Sequence, residues 1–303
     1  MKRPHIVQYQ GSKRLLASQI LAYMPHKFKR LVEPFAGMAA VSIAVAQEHM
    51  AESFLINDIN APLIDVLREA VNNPDRLLEE YDKVWSAQFS YSDGSVAHFY
   101  NVRERFNGGD TSAANMLYLL ARCVKGSVRY GRNGNFNQSP DKRRHGTSPK
   151  TLAANLKAIS GCLNGIADFS SVDYSEVLAT VRKGDIVYMD PPYQGVSNVR
   201  DNRYCSGVDF DELVASIDRL NSCGVDCLIS YDGKCGSRKY GRDLPVELGL
   251  KKVMLNAGVS SQSVLLGKKE TTFEALYVSP GLQKACEYIE RKIQTPVLER
   301  AIV

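Results

Sequence analysis

The sequence of 303 residues has little of what marks membrane, secreted or metal-dependent proteins. No uninterrupted apolar run approaches the roughly 18 residues that a membrane-spanning helix needs. The seven cysteines are an odd number without the spacing of a disulfide framework, which predicts a protein of the reducing cytoplasm. The five histidines are scattered and form no metal-ligand pattern. We therefore expect a cytoplasmic protein with no membrane partner and no metal site.

Acidic residues are scarce in two segments of the chain. Residues 1–30 and 122–150 together hold 15 of the 38 basic residues and only one of the 33 acidic residues, Asp141. The net charge of the whole chain is only +5, so the rest of the sequence is acidic. Two basic segments on an otherwise acidic body predict a binding surface for a polyanion such as a nucleic acid.

The periodicity of the apolar residues predicts an α/β fold. Two short apolar strands at 31–35 and 53–57 flank a helical pattern at 38–48, which is how an open parallel sheet begins. The other predicted elements are strands near 166–173, 185–190, 225–231 and 273–279, and helices over most of 63–121 and at 149–164. A mainly helical insertion therefore interrupts the sheet, and the chain divides into residues 1–60, 61–155 and 156–303.

The ends of the first two strands carry residues expected of a nucleoside-binding site. A tight turn at Gly37 lets the backbone approach a ligand, and Asp58 ends the second strand where a carboxylate accepts hydrogen bonds from both ribose hydroxyls. The turn has one glycine where the phosphate-binding motif of dinucleotide enzymes has three. A cofactor with a nucleoside and no pyrophosphate fits better, and S-adenosylmethionine is the leading candidate.

Asp190, Pro191, Pro192 and Tyr193 follow an apolar strand and form the most informative stretch of the chain. The Asp190 carboxylate and the Pro191 carbonyl can accept hydrogen bonds from a planar amino group, and Tyr193 can stack on the ring that bears it. Because the prolines have no N–H, the loop presents acceptors. The stretch is typical of a site that binds an exocyclic amino group.

Six motifs, in order along nearly the whole chain, resemble those of the Dam family of DNA adenine N6-methyltransferases. They lie at residues 9–13, 33–37, 57–60, 129–137, 184–193, and at the pair 260–263 and 272–277. The resemblance implies a Rossmann-like sheet that binds S-adenosylmethionine, with an inserted DNA target-recognition domain that carries a β-hairpin. It also implies a prokaryotic or phage-encoded enzyme that methylates N6 of adenine in a short duplex sequence, with the base flipped out of the helix.

The resemblance implies roles for individual residues. Tyr9, Lys13 and Phe35 would border the methionine end of the cofactor, Asp58 would hold its ribose, and Asp173 with Tyr174 its adenine. The full cofactor-binding set is Tyr9, Lys13, Glu33, Phe35, Gly37, Asp58, Asp173, Tyr174 and Asp190. The catalytic set is Asp190, Pro191, Pro192 and Tyr193.

The insertion is expected to contact double-stranded DNA. Asn133-Gly134, between Tyr130 and Phe136, predicts a hairpin with a two-residue turn. Arginine and asparagine read base edges in the major groove, whereas phosphate contacts fix position without specifying sequence. The predicted contacts are Arg129, Arg132, Asn133, Asn135 and Asn137 in the hairpin, and Lys142, Arg143 and Arg144 on phosphates.

Three positions depart from the family's pattern. Ser12 replaces the second glycine of the first motif, Ala39 replaces the glycine of the cofactor turn, and Gly131 stands where the hairpin usually has asparagine. The first two are tolerable if the backbone there keeps φ below zero. The third bears on which DNA sequence is recognised.

Several alternatives stay open at this point. A cytosine N4-methyltransferase needs nearly the same geometry, and a DNA-binding relative without catalysis would fit if Ala39 spoils the cofactor turn. Methylation of protein glutamine or of RNA fits less well, because those enzymes typically carry asparagine in place of Asp190. A restriction endonuclease is a candidate partner, and the sequence does not indicate an oligomeric state.

Overall fold

The computed structural model describes residues 3–192, 208–235, 238–240, 242–259 and 271–284. The predicted catalytic residue Tyr193 and the motif at 260–263 lie outside these ranges. Across the described part of the chain, no helix is long and apolar enough to cross a membrane.

The described strands form one mixed sheet. They are β1 (Phe28–Glu33), β2 (Ala51–Asn57), β3 (Ala167–Ser170), β4 (Asp185–Met189), β5 (Asp226–Cys235), β6 (Arg238–Tyr240), β7 (Lys251–Val259) and β8 (Thr271–Val278). Their order is β3-β2-β1-β4-β5-β8-β7, and β6 pairs with the end of β5. Strands β1 to β5 run parallel, and β8 runs antiparallel to β5 and to β7. The strand order reverses between β1 and β4, where doubly wound sheets bind their ligands.

Helices lie before β1 and between the strands, and those within 40–122 and 149–163 fall where the sequence pattern predicts them. They are α1 (Ala17–Leu21), α2 (Ala40–Gln47), α3 (Ala61–Asn72), α4 (Pro74–Ala87), α5 (Gly94–Asn107), α6 (Ala113–Arg122), α7 (Pro149–Leu163), α8 (Tyr174–Leu178) and α9 (Phe210–Ser222). Only Asn73 separates the end of α3 from Pro74, the first residue of α4, because proline tolerates the first helical turn and cannot continue a preceding helix.

Alternate residues of the strands point into two apolar layers. Leu31 of β1 and Ile186 of β4 pack on one face with α1 to α7, whereas the next residues, Val32 and Val187, pack on the other with α8 and α9. The first layer is continuous from β2 into the inserted helices, where it includes Phe99. The sheet and the insertion therefore share one core, and the division into three segments stays a prediction.

The predicted α/β fold class is confirmed by this mainly parallel sheet with helices on both faces. The sequence analysis missed β7, an edge strand in which Leu255 is the one buried side chain among residues 251–258. An edge strand that exposes most of both faces lacks the apolar alternation by which a strand is recognised.

Candidate functional site

Three carboxylates meet at one edge of the sheet, where parallel strands end. Glu33 is the last residue of β1, Asp58 follows β2, and Asp190 follows β4. Because β1 lies between β2 and β4 and runs parallel to both, these side chains share the edge at which the strand order reverses. Together with Glu274 of β8, we call them the acidic edge.

A buried lysine joins two of these carboxylates. The Lys13 ammonium lies 2.7 Å from Asp190 Oδ2 and 3.4 Å from Glu274 Oε2, and it donates to the Gly11 carbonyl at 3.4 Å. The side chain of Lys13 is 6% exposed, against 20% for Asp190 and 27% for Glu274. A cation this deeply buried requires charged partners, so Lys13, Asp190 and Glu274 form one ion-paired cluster.

Glu274 is a site residue that the sequence analysis did not identify. It pairs with Gly233 of β5 and Leu255 of β7 in the sheet register. Because β8 runs antiparallel to β5, its first half lies at the edge where the parallel strands end. A search limited to the last residues of strands passes over it. The signal in the sequence is the single acid of its strand, between Phe273 and Ala275.

Glu33 is buried and bonded to the first turn of α2. Its Oε2 accepts hydrogen bonds from the Ser42 backbone N–H, at 3.1 Å, and from the Ser42 hydroxyl. Burial raises the pKa of Glu33 to about 8 against the opposing bonds from Ser42, and the charges of Asp190 and Asp58 add smaller upward contributions. Glu33 is therefore mostly protonated at neutral pH, and it ties β1 to α2.

Both oxygens of Asp58 accept hydrogen bonds from the backbone. The N–H of Gly37 donates to Oδ2 at 2.8 Å, and the N–H of Asn60 donates to Oδ1 at 2.9 Å. Burial raises the pKa of Asp58, and these two bonds lower it. Each carboxylate oxygen has two acceptor positions, so Asp58 can hold the turn at Gly37 and accept two further hydrogen bonds.

Asn57, the last residue of β2, connects three strand ends. Its amide nitrogen donates to the carbonyls of Pro34 and Val172, both at 3.0 Å. Its amide oxygen accepts from the Ser170 hydroxyl at 2.8 Å and from the Val172 N–H at 3.0 Å. All four of its hydrogen-bonding positions are used in a fully buried side chain, which fixes the loops after β1, β2 and β3 relative to each other. The sequence analysis gave Asn57 no such role.

Three of the predicted cofactor-binding side chains are aromatic and border this edge. The Tyr9 ring packs on the turn, because a Cβ at Gly37 would lie 3.0 Å from Tyr9 Cε1. The rings of Phe35 and Tyr174 pack with centroids 5.0 Å apart. Asp173 is exposed and its carboxylate caps the first turn of α8.

The sequence analysis expects a negative φ at Ser12 and at Ala39, and only Ser12 has one. Ser12 has φ of −57°, and the neighbouring Gly11 takes the positive value of 82°. Ala39 has φ of 51°, so the expectation of a negative φ is wrong there. The turn forms nonetheless, since the Ala39 N–H donates to the Ala36 carbonyl at 2.7 Å and its carbonyl accepts from Ile43 at 2.9 Å. A left-handed alanine costs roughly 1 kcal/mol.

Residues 129–137 form a hairpin with a three-residue loop, and the predicted two-residue turn is wrong. Tyr130 pairs with Phe136, and the Gly131 N–H donates to the Asn135 carbonyl at 2.8 Å. A two-residue turn of type I′ requires positive φ at both central residues. Gly134 has it, at 77°, whereas Asn133 does not. The loop therefore comprises residues 132–134.

The position of Asn133 is relevant to Gly131, the glycine that stands where the family's hairpin usually has asparagine. A Cβ at Gly131 would lie 2.9 Å from Asn133 Oδ1, so this amide lies where a side chain at position 131 would begin. At the base of the hairpin, Asn107 bonds both the N–H and the carbonyl of buried Phe136, at 2.8 and 3.1 Å. The backbone of the hairpin is thereby anchored while its polar side chains are left outside.

The eight predicted DNA contacts are all exposed: Arg129, Arg132, Asn133, Asn135, Asn137, Lys142, Arg143 and Arg144. Arg144 differs from its neighbours because two guanidinium nitrogens lie 2.7 Å from Asp141 Oδ2. Part of its charge is therefore balanced within the protein.

Buried polar side chains hold the backbone of residues 141–147, which we call the basic loop. Arg122, only 1% exposed, donates to the carbonyls of Asp141 and Arg144 and to the Gln88 amide oxygen. The His145 carbonyl accepts from Trp85 at 2.8 Å and from Gln88 at 3.2 Å. The sequence analysis counted Arg122 with the polyanion-binding charges, and this was wrong: it lies inside and organises the loop.

Two contacts connect the insertion to the surroundings of the acidic edge, one through the segment before Lys13 and one through Asn60. The carbonyl of Gly126 accepts from the Gln10 N–H at 2.9 Å, and a Cβ at Gly126 would lie 2.0 Å from the Gln8 carbonyl oxygen, so only glycine fits there. The Tyr130 hydroxyl donates to the Asn60 side chain at 3.1 Å, and the Asn60 N–H binds Asp58. A single residue, Asn60, thus links the hairpin to Asp58, the predicted ribose-binding carboxylate.

A doubly wound sheet with an acidic, lysine-paired edge and a basic insertion defines a ligand-binding α/β protein suited to a polyanionic substrate. The chain belongs to the D12 class N6 adenine-specific DNA methyltransferase family, whose sequence profile matches residues 9–257. The predicted resemblance to this kind of enzyme is thereby confirmed.

Three relatives illustrate the similarity. The DNA N-6-adenine-methyltransferase of Escherichia phage P1 is 29% identical over 78% of this chain and 31% of its own length. The retron Ec67 DNA adenine methylase of Escherichia coli is 29% identical over 63% of this chain and 64% of its own. The type II methyltransferase M.MjaIII of Methanocaldococcus jannaschii is 27% identical over 68% and 74%. The chain thus spans about a third of the phage protein and just under two thirds of the retron protein.

Proposed function

We propose that this protein moves a methyl group from S-adenosylmethionine to the exocyclic N6 of adenine within a short sequence of double-stranded DNA. The observation that carries the proposal is the Asp190 carboxylate at the end of β4, paired at 2.7 Å with a buried lysine and followed by buried Pro191. Membership of the D12 family favours adenine over cytosine as the target.

The acidic edge fits this cofactor better than it fits a dinucleotide. Among the side chains that the structure describes, the carboxylates of the edge outnumber its lysine, which favours a sulfonium cation and disfavours a pyrophosphate. Within the described part of the chain, the buried Glu274 Oε2 has the Lys13 ammonium as its ion-pair partner at 3.4 Å and accepts no hydrogen bond of good geometry. The residues that would hold the cofactor are Tyr9, Lys13, Glu33, Phe35, Gly37, Asp58, Asp173, Tyr174 and Asp190.

The cofactor would supply an electrophilic methyl group bonded to a positively charged sulfur. The leaving group would be S-adenosylhomocysteine, in which this sulfur is a neutral thioether. The nitrogen lone pair of the adenine amino group is delocalised into the ring, which makes it a poor nucleophile. The Asp190 carboxylate and the Pro191 carbonyl accept hydrogen bonds from the two N–H groups of this amino group. These bonds localise the nitrogen lone pair for in-line attack on the methyl carbon.

Asp190 acts here mainly as a positioned acceptor. Lys13 at 2.7 Å stabilises the negative charge of Asp190, so the carboxylate accepts hydrogen bonds and does not donate one. The amino proton becomes acidic only after the methyl group has transferred, and Asp190 or water can then take it. A strong base is therefore not required.

The insertion would grip and read the DNA. The exposed hairpin side chains Arg132, Asn133, Asn135 and Asn137, with Arg129 at its base, are proposed to lie near base edges in the major groove. Lys142, Arg143 and Arg144 of the basic loop would contact phosphates. The target base has to leave the helix to reach Asp190, and Tyr193 would stack on it there.

Product analysis tests the proposed function. The purified protein is incubated with unmethylated duplex DNA and S-adenosylmethionine labelled in the methyl group, and the DNA is digested to nucleosides for mass spectrometry. We expect labelled N6-methyladenine, absent from an identical Asp190→Asn preparation that controls for host enzymes. Labelled N4-methylcytosine, or no labelled base, would contradict the proposal.

The partners and location of the protein stay predictions. The type II methyltransferase among the relatives makes a restriction endonuclease of the same specificity a candidate partner. The cytoplasmic location expected from the cysteine content is tested by fractionating cells that express the protein.

A further inference from the structure

The side chain of Asn60 is bonded to the hairpin, although its place in the chain suits another role. Asn60 is the N-cap residue of α3, yet its side chain makes no capping hydrogen bond. Asparagine is favoured at this position because its oxygen accepts from the N–H of the second or third helical residue. Here the second is Pro62, which has no N–H, and the N–H of the third, Leu63, donates to the Asn60 backbone carbonyl at 3.0 Å. The amide oxygen of Asn60 accepts instead from the Tyr130 hydroxyl, at 3.1 Å.

This bond joins two parts of the protein that have different proposed tasks. Tyr130 belongs to the hairpin, where it pairs with Phe136, and the hairpin carries the proposed base-reading side chains. On the other side of the bond, the Asn60 N–H donates to Asp58 Oδ1 at 2.9 Å. The second oxygen of Asp58 accepts from the Gly37 N–H at 2.8 Å, in the proposed cofactor turn. Hydrogen bonds therefore run from the hairpin to the cofactor turn through Asn60 and Asp58.

The hairpin is also held by the insertion itself. Asn107 of α5 bonds the N–H and the carbonyl of Phe136, at 2.8 and 3.1 Å, so the hairpin moves with the insertion. The Tyr130 bond then fixes where the hairpin lies relative to the sheet. Methyl transfer needs the target nitrogen in line with the methyl group, and a misplacement of about 1 Å can cost roughly a hundredfold in rate. A single bond between the hairpin and the sheet can therefore affect the rate strongly.

We propose that Tyr130 is a positioning residue, whose bond to Asn60 sets the distance between the hairpin that reads the DNA and the edge at which the methyl group is transferred. The inference rests on the proposed function, because it concerns the same reaction on the same substrate. In this role the Tyr130 hydroxyl acts on the rate of transfer within the complete complex. A residue that only contacts DNA acts on duplex affinity, and one that only supports the fold acts on stability.

The test is a double-mutant cycle on the single-turnover rate of methyl transfer. S-adenosylmethionine and a duplex that the wild-type protein methylates are both saturating. Tyr130→Phe keeps the ring and removes the hydroxyl, whereas Asn60→Ala removes the acceptor and keeps the backbone N–H that binds Asp58. We expect each variant to be about tenfold slower, with affinities for the duplex and for S-adenosylhomocysteine within about threefold of the wild type. The double variant should be no slower than the slower single variant, because both substitutions remove the same bond.

Tyr81→Phe is the matched control. The Tyr81 hydroxyl donates to the Thr147 carbonyl at 2.6 Å, a bond that connects α4 with the basic loop. The substitution therefore removes a tyrosine hydroxyl that holds another part of the insertion. It should lower the free energy of unfolding and leave the saturating rate unchanged.

An unchanged rate in Tyr130→Phe, or a double variant about a hundredfold slower than the wild type, would overturn the inference, because the two residues would then act separately. An equal loss of rate in Tyr81→Phe would overturn it as well, since any loosening of the insertion would have the same effect. A loss confined to duplex affinity would make Tyr130 a DNA contact. These outcomes leave the proposed function intact, whereas a wild-type protein that methylates no DNA would overturn that function and this inference with it.

Discussion

The acidic edge and the basic loop use charge in opposite ways. At the acidic edge the acidic side chains themselves are buried or half-buried, and they are held by backbone N–H groups, by Ser42 and by Lys13. In the basic loop the charged side chains of Lys142 and Arg143 are exposed. Its backbone carbonyls accept hydrogen bonds from the buried Arg122.

The difference follows from what each region is proposed to bind. Methyl transfer needs charges fixed in advance, in a place where water does not weaken them. Phosphate binding needs exposed cations, which neutralise the phosphates and release their counterions. Arg122 binds two carbonyls of the basic loop and so turns those dipoles inward, away from the exposed side chains. A buried arginine thus shapes the proposed DNA-binding surface without being part of it.

Glu33 provides the largest expected effect, and it tests whether the acidic edge is built from buried groups. Its pKa rises from 4.5 to about 8 on folding, so the folded protein binds this proton more tightly than the unfolded chain. The stability that this proton gives is full below pH 4.5 and is lost as the pH rises to 8, at up to about 1.4 kcal/mol per pH unit. Urea unfolding between pH 5 and 9 should show this loss in wild-type protein and a flatter profile in Glu33→Gln.

The control for this experiment is Glu48→Gln, since Glu48 is a well-exposed acid of the same region, paired only loosely with Arg3 at 3.7 Å. Its profile should follow that of the wild type. A Glu33→Gln profile as steep as that of the wild type would mean that Glu33 is ionised in the folded protein.

Arg122→Met tests whether the basic loop depends on a buried donor. Methionine fills the space of the arginine stem but leaves the Asp141 and Arg144 carbonyls without their donor, so the free energy of unfolding should fall by about 2–4 kcal/mol. Affinity for duplex DNA should fall as well, although Arg122 does not reach the surface.

Arg143, an exposed arginine of the basic loop, provides the matched control for Arg122. Arg143→Ala should change the free energy of unfolding by less than about 0.5 kcal/mol and reduce the slope of log affinity against log salt by about one unit. If Arg122→Met left stability unchanged, or if Arg143→Ala unfolded the protein, the division between inner scaffold and outer contact would be wrong.

Much of the acidic edge could be predicted from the sequence, because the end of a buried strand is visible as the end of an apolar run. Asp58 and Asp190 each follow an apolar run, and parallel strands bring such residues to one edge. Glu274 could not be found this way, since β8 runs antiparallel and presents its beginning to that edge. The direction of a strand is a property of the whole sheet, and local pattern does not contain it.

The insertion was harder to predict, because a buried charged residue cannot be distinguished from an exposed one by its residue type. Arg122 and Arg143 have the same side chain and lie in the same basic segment, yet one is buried and the other exposed. The hairpin was located correctly, but its loop length depends on the φ of Asn133, which the residue type permits with either sign.

Asp58→Asn tests the predicted ribose contact at the acidic edge. Asparagine keeps one oxygen for the turn and loses the charge, so cofactor binding should weaken by about 1.5–3 kcal/mol, or roughly ten- to a hundredfold, with little change in DNA affinity. Calorimetry with S-adenosylhomocysteine measures this. Unchanged binding would place Asp58 outside the cofactor site and limit it to holding Gly37 and Asn60.

The smallest expected effect concerns the strained alanine of the cofactor turn. Ala39→Gly should raise the free energy of unfolding by roughly 0.5–1 kcal/mol, because glycine relieves the left-handed strain at the cost of a more flexible unfolded chain. Ala44→Gly in the interior of α2 is the control and should lower it by about 1 kcal/mol or more. Destabilisation by both substitutions would mean that Ala39 is not strained.

The most direct test of the account is to measure DNA binding and methyl transfer on the same Asp190→Asn protein under single-turnover conditions with saturating cofactor. The buried acidic edge is proposed to perform the chemistry and the exposed insertion to hold the DNA. We therefore expect duplex affinity within about threefold of the wild type, and a methyl-transfer rate lower by about 10²–10³-fold or more. A variant that kept the wild-type rate, or one that lost duplex binding along with it, would contradict that division.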